Sequence, residues 1–166
     1  MFDIDPVVWL QSWATPALTA VMNGISILGY TRAYIAITVL MAFVFPMRIA
    51  IALLVLIAPS GAITDATKAA VAAPRPGWVS GSVQSLSVFA QDLRTRNADT
   101  PTEMEDDYGF PSGHVSATTA FAVGLAFLLR AGPRGWSLAI AWIALMALSR
   151  LYLGRHFLGD VVGGVG

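Results

Sequence analysis

The chain has 166 residues, of which 56% are hydrophobic and only 12% charged, against roughly 25% in an ordinary soluble domain. Lys plus Arg and Asp plus Glu number 10 each, so the balance points to no polyanionic partner. A soluble globule, a disordered chain and a nucleic-acid binder are all disfavoured, which leaves a membrane protein of about one domain as the economical reading. Cysteine is absent, so disulfides, thiolate metal sites and cysteine nucleophiles are excluded, and His114 and His156 are the only imidazoles.

Asp3 and Asp5 stand where a signal peptide would carry basic residues, so a cleaved signal is not expected. Charge-free stretches at 6–31, 33–47, 49–64, 115–129 and 135–149 are candidate spans. A crossing helix needs about 20 apolar residues, and Arg32, Arg48 and Arg130 at the ends of the shorter stretches can snorkel and extend them. Gln11, Ser12, Thr15, Pro16 and Asn23 interrupt the first stretch, which either spans or lies partly in the interface. A further apolar segment opens at His156 and reaches Gly166 ten residues later, so the sequence is expected to stop inside its last span. The expected fold is all-α: a polytopic membrane helix bundle of about six transmembrane helices, the last truncated, forming one domain over residues 1–166.

Residues 76–91 lack charge, but Ser80, Ser82, Ser85 and Ser87 make them too polar for a span. With Trp78, Val79, Val83, Leu86 and Phe89 they read as an interfacial amphipathic segment. Residues 92–108 are polar and acidic, with Glu103, Glu105, Asp106 and Asp107 close together, and a solvated loop is preferred there over a cation site. If the stretch 49–64 ends on one membrane face near Lys68, the chain stays on that face until Phe110 and returns to it at Arg150 after a turn at Gly132-Pro133. Every polar residue considered below then lies at that face. Arg48, Arg130 and Arg134 mark the opposite face as cytoplasmic by the positive-inside rule, with Arg32 counting the other way. The polar loop and the candidate site are therefore expected on the extracytoplasmic side of a cell membrane.

Three polar clusters carry the chemistry, since ionisable groups at membrane depth are functional candidates. Lys68 and Arg75 are seven apart and share a face if the helix continues between them, with Pro74 and Pro76 expected to end it. Pro111-Ser112-Gly113-His114 precedes an apolar helix; Ser112 suits an N-cap, and free N–H groups there favour an oxyanion, although a plain capped helix start has the same pattern. Ser149-Arg150, His156 and Asp160 form the third. A short helix would stack His156 on Asp160, leaving the other imidazole nitrogen as base, ligand or nucleophile, and Gly154 breaks the chain so that Arg150 and His156 can share a pocket. A helix-end histidine capped by a local aspartate is the bland alternative. Together the clusters supply cations, backbone donors and two imidazoles, the set that phosphoryl transfer uses. Neither a His-Glu-x-x-His zinc pattern nor a Gly-x-Ser-x-Gly elbow occurs.

Lys68-x6-Arg75-Pro76, Pro111-Ser112-Gly113-His114 and Ser149-Arg150-x5-His156-x3-Asp160 resemble, in order and spacing, the three-part signature of the type 2 phosphatidic acid phosphatase superfamily, with no signature position departing. The resemblance covers roughly residues 30–160 and extends to the six-helix layout of the membrane branch. It implies a cofactor-free, metal-independent phosphatase in which His156 attacks phosphorus, Asp160 orients it, and His114 protonates the leaving group. Lys68, Arg75 and Arg150 would hold the phosphoryl oxygens with Ser112 and Gly113. The implied substrate is a lipid phosphate such as phosphatidic acid, phosphatidylglycerol phosphate or undecaprenyl diphosphate. Residues 77–110, with Trp78 and Phe89, would form a lid or access surface for its tail. A lipid-linked phosphotransferase of the same superfamily would share the site. A soluble vanadium-dependent haloperoxidase would share the anion pocket but not the apolar spans. A transporter or anion-binding membrane protein would need the cations but neither histidine nor Asp160.

Overall fold

The computed structural model describes residues 3–88 and 108–166. Proline and threonine set the first boundaries. Pro6 opens α1 (Asp5–Gln11), at a position where a missing N–H costs nothing. Thr15 caps α2 (Pro16–Leu28) by accepting the Leu18 N–H at 3.2 Å. After a 63° bend comes α3 (Thr31–Met41). At 1.5 Å per residue the two arms of this bent pair are about 20 and about 16 Å long, each shorter than the roughly 30 Å hydrocarbon core. The candidate stretches 6–31 and 33–47 thus take the form of α1 and a bent pair.

Next, α4 (Met47–Val71) runs for 25 residues and accommodates Pro59 in its interior. It stops short of the point expected from the two prolines, because Ala72 adopts the left-handed conformation (φ 49°) and turns the chain before Arg75. Lys68 and Arg75 therefore do not share one continuous helix. A single turn, α5 (Pro76–Val79), follows Arg75. The remaining elements are α6 (Gly113–Leu128), α7 (Pro133–Tyr152) and α8 (Leu158–Gly163).

Among the described residues no strand occurs, and Met47–Val79 and Pro133–Tyr152 are long and apolar enough to cross a membrane. The pair α2–α3 makes a third such stretch if counted as one, and α6 is apolar but shorter. Leu40, Phe43, Phe127 and Leu138 point outward, each at least 67% exposed. Hydrocarbon, rather than water, is the solvent that suits such a surface.

The bundle packs α4 against α6 and α6 against α7, with α3 lying on both α4 and α6, and α1 and α2 against α7. Leu53, Ile57, Tyr34 and Ala117 form one core cluster, and Val115, Ala122, Ile143 and Met146 belong to another. Small residues on α6 allow the close approach: a Cβ at Gly124 would lie 2.8 Å from the Leu56 side chain.

One polar chain runs through this apolar interior. Trp142 Nε1 donates to the Tyr34 hydroxyl at 2.9 Å, and Thr118 Oγ1 donates to the His114 carbonyl at 2.6 Å. Because the Thr118 proton is thereby used, the Tyr34 hydroxyl donates to Thr118 Oγ1, 2.9 Å away. The direction of each bond is fixed, and α7, α3 and α6 are tied at one level.

Residues 80–88 differ from the amphipathic segment expected of them: beyond α5 they form an extended strap across the helix ends, with Val83 and Ser87 buried. Two amides supply the partners that would otherwise favour a helix. Gln11 Nε2 donates to the carbonyls of Gln84 (2.6 Å) and Tyr152 (3.0 Å), while its Oε1 accepts the Gln84 N–H at 3.0 Å. Asn23 pairs in the same way with the Leu86 carbonyl and the Val88 N–H, both at 3.1 Å. Phe89 and the acidic run at 92–107 lie outside the described residues.

Tyr34→Phe keeps the ring stacked on Phe121 (centroids 4.7 Å apart) but removes the hydroxyl that links Trp142 to Thr118. Thermal unfolding in detergent should show a loss of about 1 kcal/mol. An unchanged midpoint would mean that the chain of hydrogen bonds does not stabilise the bundle.

Candidate active site

The three sequence clusters meet at one end of the bundle, where α4 finishes, α6 begins and α7 passes into α8. Each is delivered by a specific break in the helices. Ala72 ends α4 and lets Arg75 turn inward, where its Nη1 donates to the Arg155 carbonyl at 2.8 Å and its side chain is 5% exposed. Lys68, half-buried on the last turns of α4, donates from Nζ to the Tyr108 carbonyl. Gly109 then runs so close to the next segment that a Cβ there would lie 2.7 Å from the Pro74 carbonyl and 3.1 Å from Asp160 Oδ2.

Ser112 occupies the N-cap of α6, as its position suggests, but its side chain makes no capping bond. The hydroxyl is fully buried and has no hydrogen-bond partner among the described residues. A buried hydroxyl left free in this way is costly unless something else uses it. The plain capped helix start is therefore not what this residue provides. The Ser112 N–H donates to the Asp160 carbonyl at 2.9 Å, which locks the start of α6 to α8. Gly113 packs against the Thr64 methyl, 3.4 Å from where its Cβ would stand.

His114 lies in the first turn of α6 with its ring edge against Tyr30, centroids 4.4 Å apart, and its Nε2 is buried without a hydrogen-bond partner among the described residues. The Tyr30 ring is covered in turn by the Arg32 guanidinium at 4.7 Å.

At the end of α7, Arg150 is buried and donates from Nη1 to Ser26 Oγ on α2. Gly154 then reverses the chain with φ +70°; a Cβ there would meet the Gln84 carbonyl at 2.4 Å, so strap and turn fit only around a glycine. His156 is not stacked on a helix with Asp160. It sits in the extended residues before α8, and Asp160 reaches back from the third position of that helix. Asp160 Oδ2 accepts the Phe157 N–H at 2.8 Å and lies 3.6 Å from His156 Nδ1. One carboxylate thus caps α8 and faces Nδ1 of the imidazole, a buried nitrogen that has no hydrogen-bond partner among the described residues.

All eight residues singled out from the sequence, Lys68, Arg75, Ser112, Gly113, His114, Arg150, His156 and Asp160, lie at this end of the bundle. The charges of Lys68, Arg75, Arg150 and Arg155 act on both imidazoles, which places four cations around two histidines. Burial first, and then the Arg75 and Arg150 guanidiniums, hold the His156 imidazole well below its ordinary pKa. Among the described residues no three His, Cys, Asp or Glu side chains cluster as metal ligands.

Sequence reasoning passed over several contributors. Arg155 is only 4% exposed and stands next to His156; its adjacency to that histidine was the one available signal. Ser26 and Tyr30 touch Arg150 and His114 across long sequence separations, which no local pattern reveals.

A family model described as the PAP2 superfamily matches residues 49–166. A decaprenylphosphoryl-5-phosphoribose phosphatase of Mycobacterium tuberculosis, found in strains H37Rv and CDC 1551 / Oshkosh, is 41% identical over 69 residues, which are 42% of this chain. That match spans only 34% of the curated relative's length. The first transmembrane PAP2 type phosphatidylglycerolphosphate phosphatase from Bacillus subtilis superposes with a TM-score of 0.73 at 22% identity, covering 98% of this chain and 76% of that one. Aquifex aeolicus LpxE superposes with a TM-score of 0.74 at 17% identity, covering 99% and 88%. At these identities the two solved structures share the fold.

Since the folded His156 resists a proton that the unfolded chain accepts near pH 6.5, folding stability should fall as pH drops through that value. In 15N spectra of histidine-labelled protein, His156, assigned with a His114 variant, should remain neutral at about pH 6. A midpoint at or above 6.5 would contradict the burial and charge ascribed to it.

Proposed function

The chain belongs to the PAP2 superfamily, and we propose that it is a membrane phosphatase that removes phosphate from a lipid-linked substrate through a phosphohistidine at His156. The observation that carries this reading is the convergence of cations and a free buried Ser112 hydroxyl on two imidazoles, one of them faced by Asp160. Such a pocket suits the three equatorial oxygens of a phosphoryl group, and positioned charge is the largest contribution a protein makes to phosphoryl transfer.

In this mechanism Lys68, Arg75 and Arg150 neutralise the phosphoryl oxygens, and Ser112 with the N–H groups at the start of α6 completes the cradle. His156 attacks through Nε2 while Asp160 holds Nδ1 and steadies the charge that develops on the ring. The bond from phosphorus to the leaving oxygen breaks, and His114 gives that oxygen a proton. The dianion, by offsetting the cations, is what makes a proton on His114 favourable. Water then attacks the phosphohistidine, passes a proton to His114, and phosphate departs. The buried positive groups do the charge neutralisation that other phosphatases assign to metal ions.

The lipid character of the substrate follows from the apolar bundle on whose end the site lies. Phosphatidic acid, phosphatidylglycerol phosphate and undecaprenyl diphosphate are the substrates proposed first. The Mycobacterium relative's name adds a polyprenyl-linked phosphosugar to that set. We place the site on the extracytoplasmic face, because Arg48, Arg130 and Arg134 stand exposed at the opposite ends of α4, α6 and α7.

Purified protein in detergent should release phosphate from at least one of these lipids with EDTA present. His156→Ala should lower kcat at least about a thousandfold, and Asp160→Asn about a hundredfold or more. Release that EDTA abolishes, or that survives in folded His156→Ala protein, would overturn the mechanism.

A further inference from the structure

The 63° bend between α2 and α3 falls on two residues, Gly29 and Tyr30, which close one helix and precede the next. Both meet the His114 imidazole, although they stand more than eighty positions before it in the chain. Tyr30 sets its ring against that of His114, with centroids 4.4 Å apart and planes at 60°. Gly29 is buried, and a Cβ there would lie 2.7 Å from His114 Cδ2 and 2.6 Å from Sδ of Met146, itself fully buried on α7. The Gly29 backbone (φ −80°) is one that any residue adopts. Glycine at this position therefore serves close approach, not an unusual turn.

The imidazole depends on this packing for its direction. Its Nε2 is buried and makes no hydrogen bond among the described residues, so ring contacts decide where that nitrogen points. Tyr30 is steadied in turn by the Arg32 guanidinium, 4.7 Å from its ring centre. One turn earlier on α2, Ser26 accepts from Arg150. The end of α2 and its bend thus touch both a cation of the phosphate cradle and the second histidine.

We propose that Gly29 and Tyr30 are positioning residues for the reaction, forming a seat that aims His114 Nε2 at the leaving oxygen. Gly29 contributes by lacking a side chain and Tyr30 by its ring. The inference rests on the phosphatase reading above, in which His114 protonates that oxygen. The seat itself exchanges no proton; it holds the imidazole that does. Proton transfer in a site is steep in geometry, and a misplacement of about 1 Å costs roughly a hundredfold in rate.

The test measures kcat and KM on phosphatidic acid, phosphatidylglycerol phosphate and undecaprenyl diphosphate, and compares variants on the lipid hydrolysed fastest. Tyr30→Ala removes the ring and Gly29→Ala crowds the imidazole; each should lower kcat about tenfold or more and move KM less than about threefold. Tyr30→Phe keeps the ring and should hold kcat within about threefold of the unaltered protein. Added to His114→Ala, the Tyr30→Ala change should cost less than about twofold further, because the residue that the seat serves is gone. A full additional loss there, a change in KM in place of kcat, or a Tyr30→Phe variant as slow as Tyr30→Ala would overturn the seat. If Gly29→Ala does not fold, or His114→Ala has no measurable rate, the kcat and KM split at Tyr30 and its rescue by phenylalanine decide. Undiminished kcat in His114→Ala would remove the acid role and the seat with it, leaving the phosphatase standing. Release from none of the three lipids by the unaltered protein would bring down the phosphatase reading itself.

Discussion

Cations held inside an apolar bundle govern the design of this molecule. Arg75, Arg150 and Arg155 are each 5% exposed or less, while Asp160 is the one carboxylate among the buried described residues. A charge in a low-dielectric surround is tolerated only when hydrogen bonds replace the water it gave up. Helices cannot supply those bonds from their middles, where every carbonyl is already used. They can supply them where they end. That is why Arg75 meets the Arg155 carbonyl and Lys68 meets the Tyr108 carbonyl, both at points where regular structure has stopped. The breaks at Ala72 and Gly154, and the irregular run 108–112, are the structural expression of this need.

The same breaks explain how a rigid bundle can hold a reactive site. The polar chain from Trp142 through Tyr34 and Thr118 ends on the His114 carbonyl, so α3 and α7 together fix the rotation of α6 about its axis. A slip of one residue along a helix turns a side chain by about 100°. His114 depends on that rotation being held. Asp160 fixes His156 differently, by closing the first turn of α8 with the oxygen that also faces the imidazole. Positioning at one histidine is thus spread over three helices, and at the other it is local.

Local chemistry was legible in the sequence, and long-range chemistry was not. The spacing of Lys68, Arg75, the run 111–114, Arg150, His156 and Asp160 singled out residues that lie at one end of the bundle, and Gly154 was recognisable as a break. The behaviour of Ser112 was hidden, because a capping serine and a withheld one look the same in a sequence. Gln11 and Asn23 read only as polar interruptions of an apolar stretch. Their partners Gln84 and Leu86 are 73 and 63 residues away, beyond the reach of any periodicity. Arg155 was overlooked for the opposite reason: a charged residue beside a histidine is ordinary until its burial is known.

The strap and the arginine anchor carry a consequence for how the protein is made. Ser26 and Arg150 are 124 residues apart, and Gln11 and the Tyr152 carbonyl are 141 apart. During synthesis the early helices enter the bilayer long before these partners exist. Helix insertion and site assembly are therefore separate events, the second confined to the time after residues 150–160 have arrived. Until then the membrane holds an inserted bundle whose polar residues at positions 11, 23 and 26 have yet to meet their partners. Loop closure over such distances is slow compared with helix formation, so the chain gains its shape well before its chemistry.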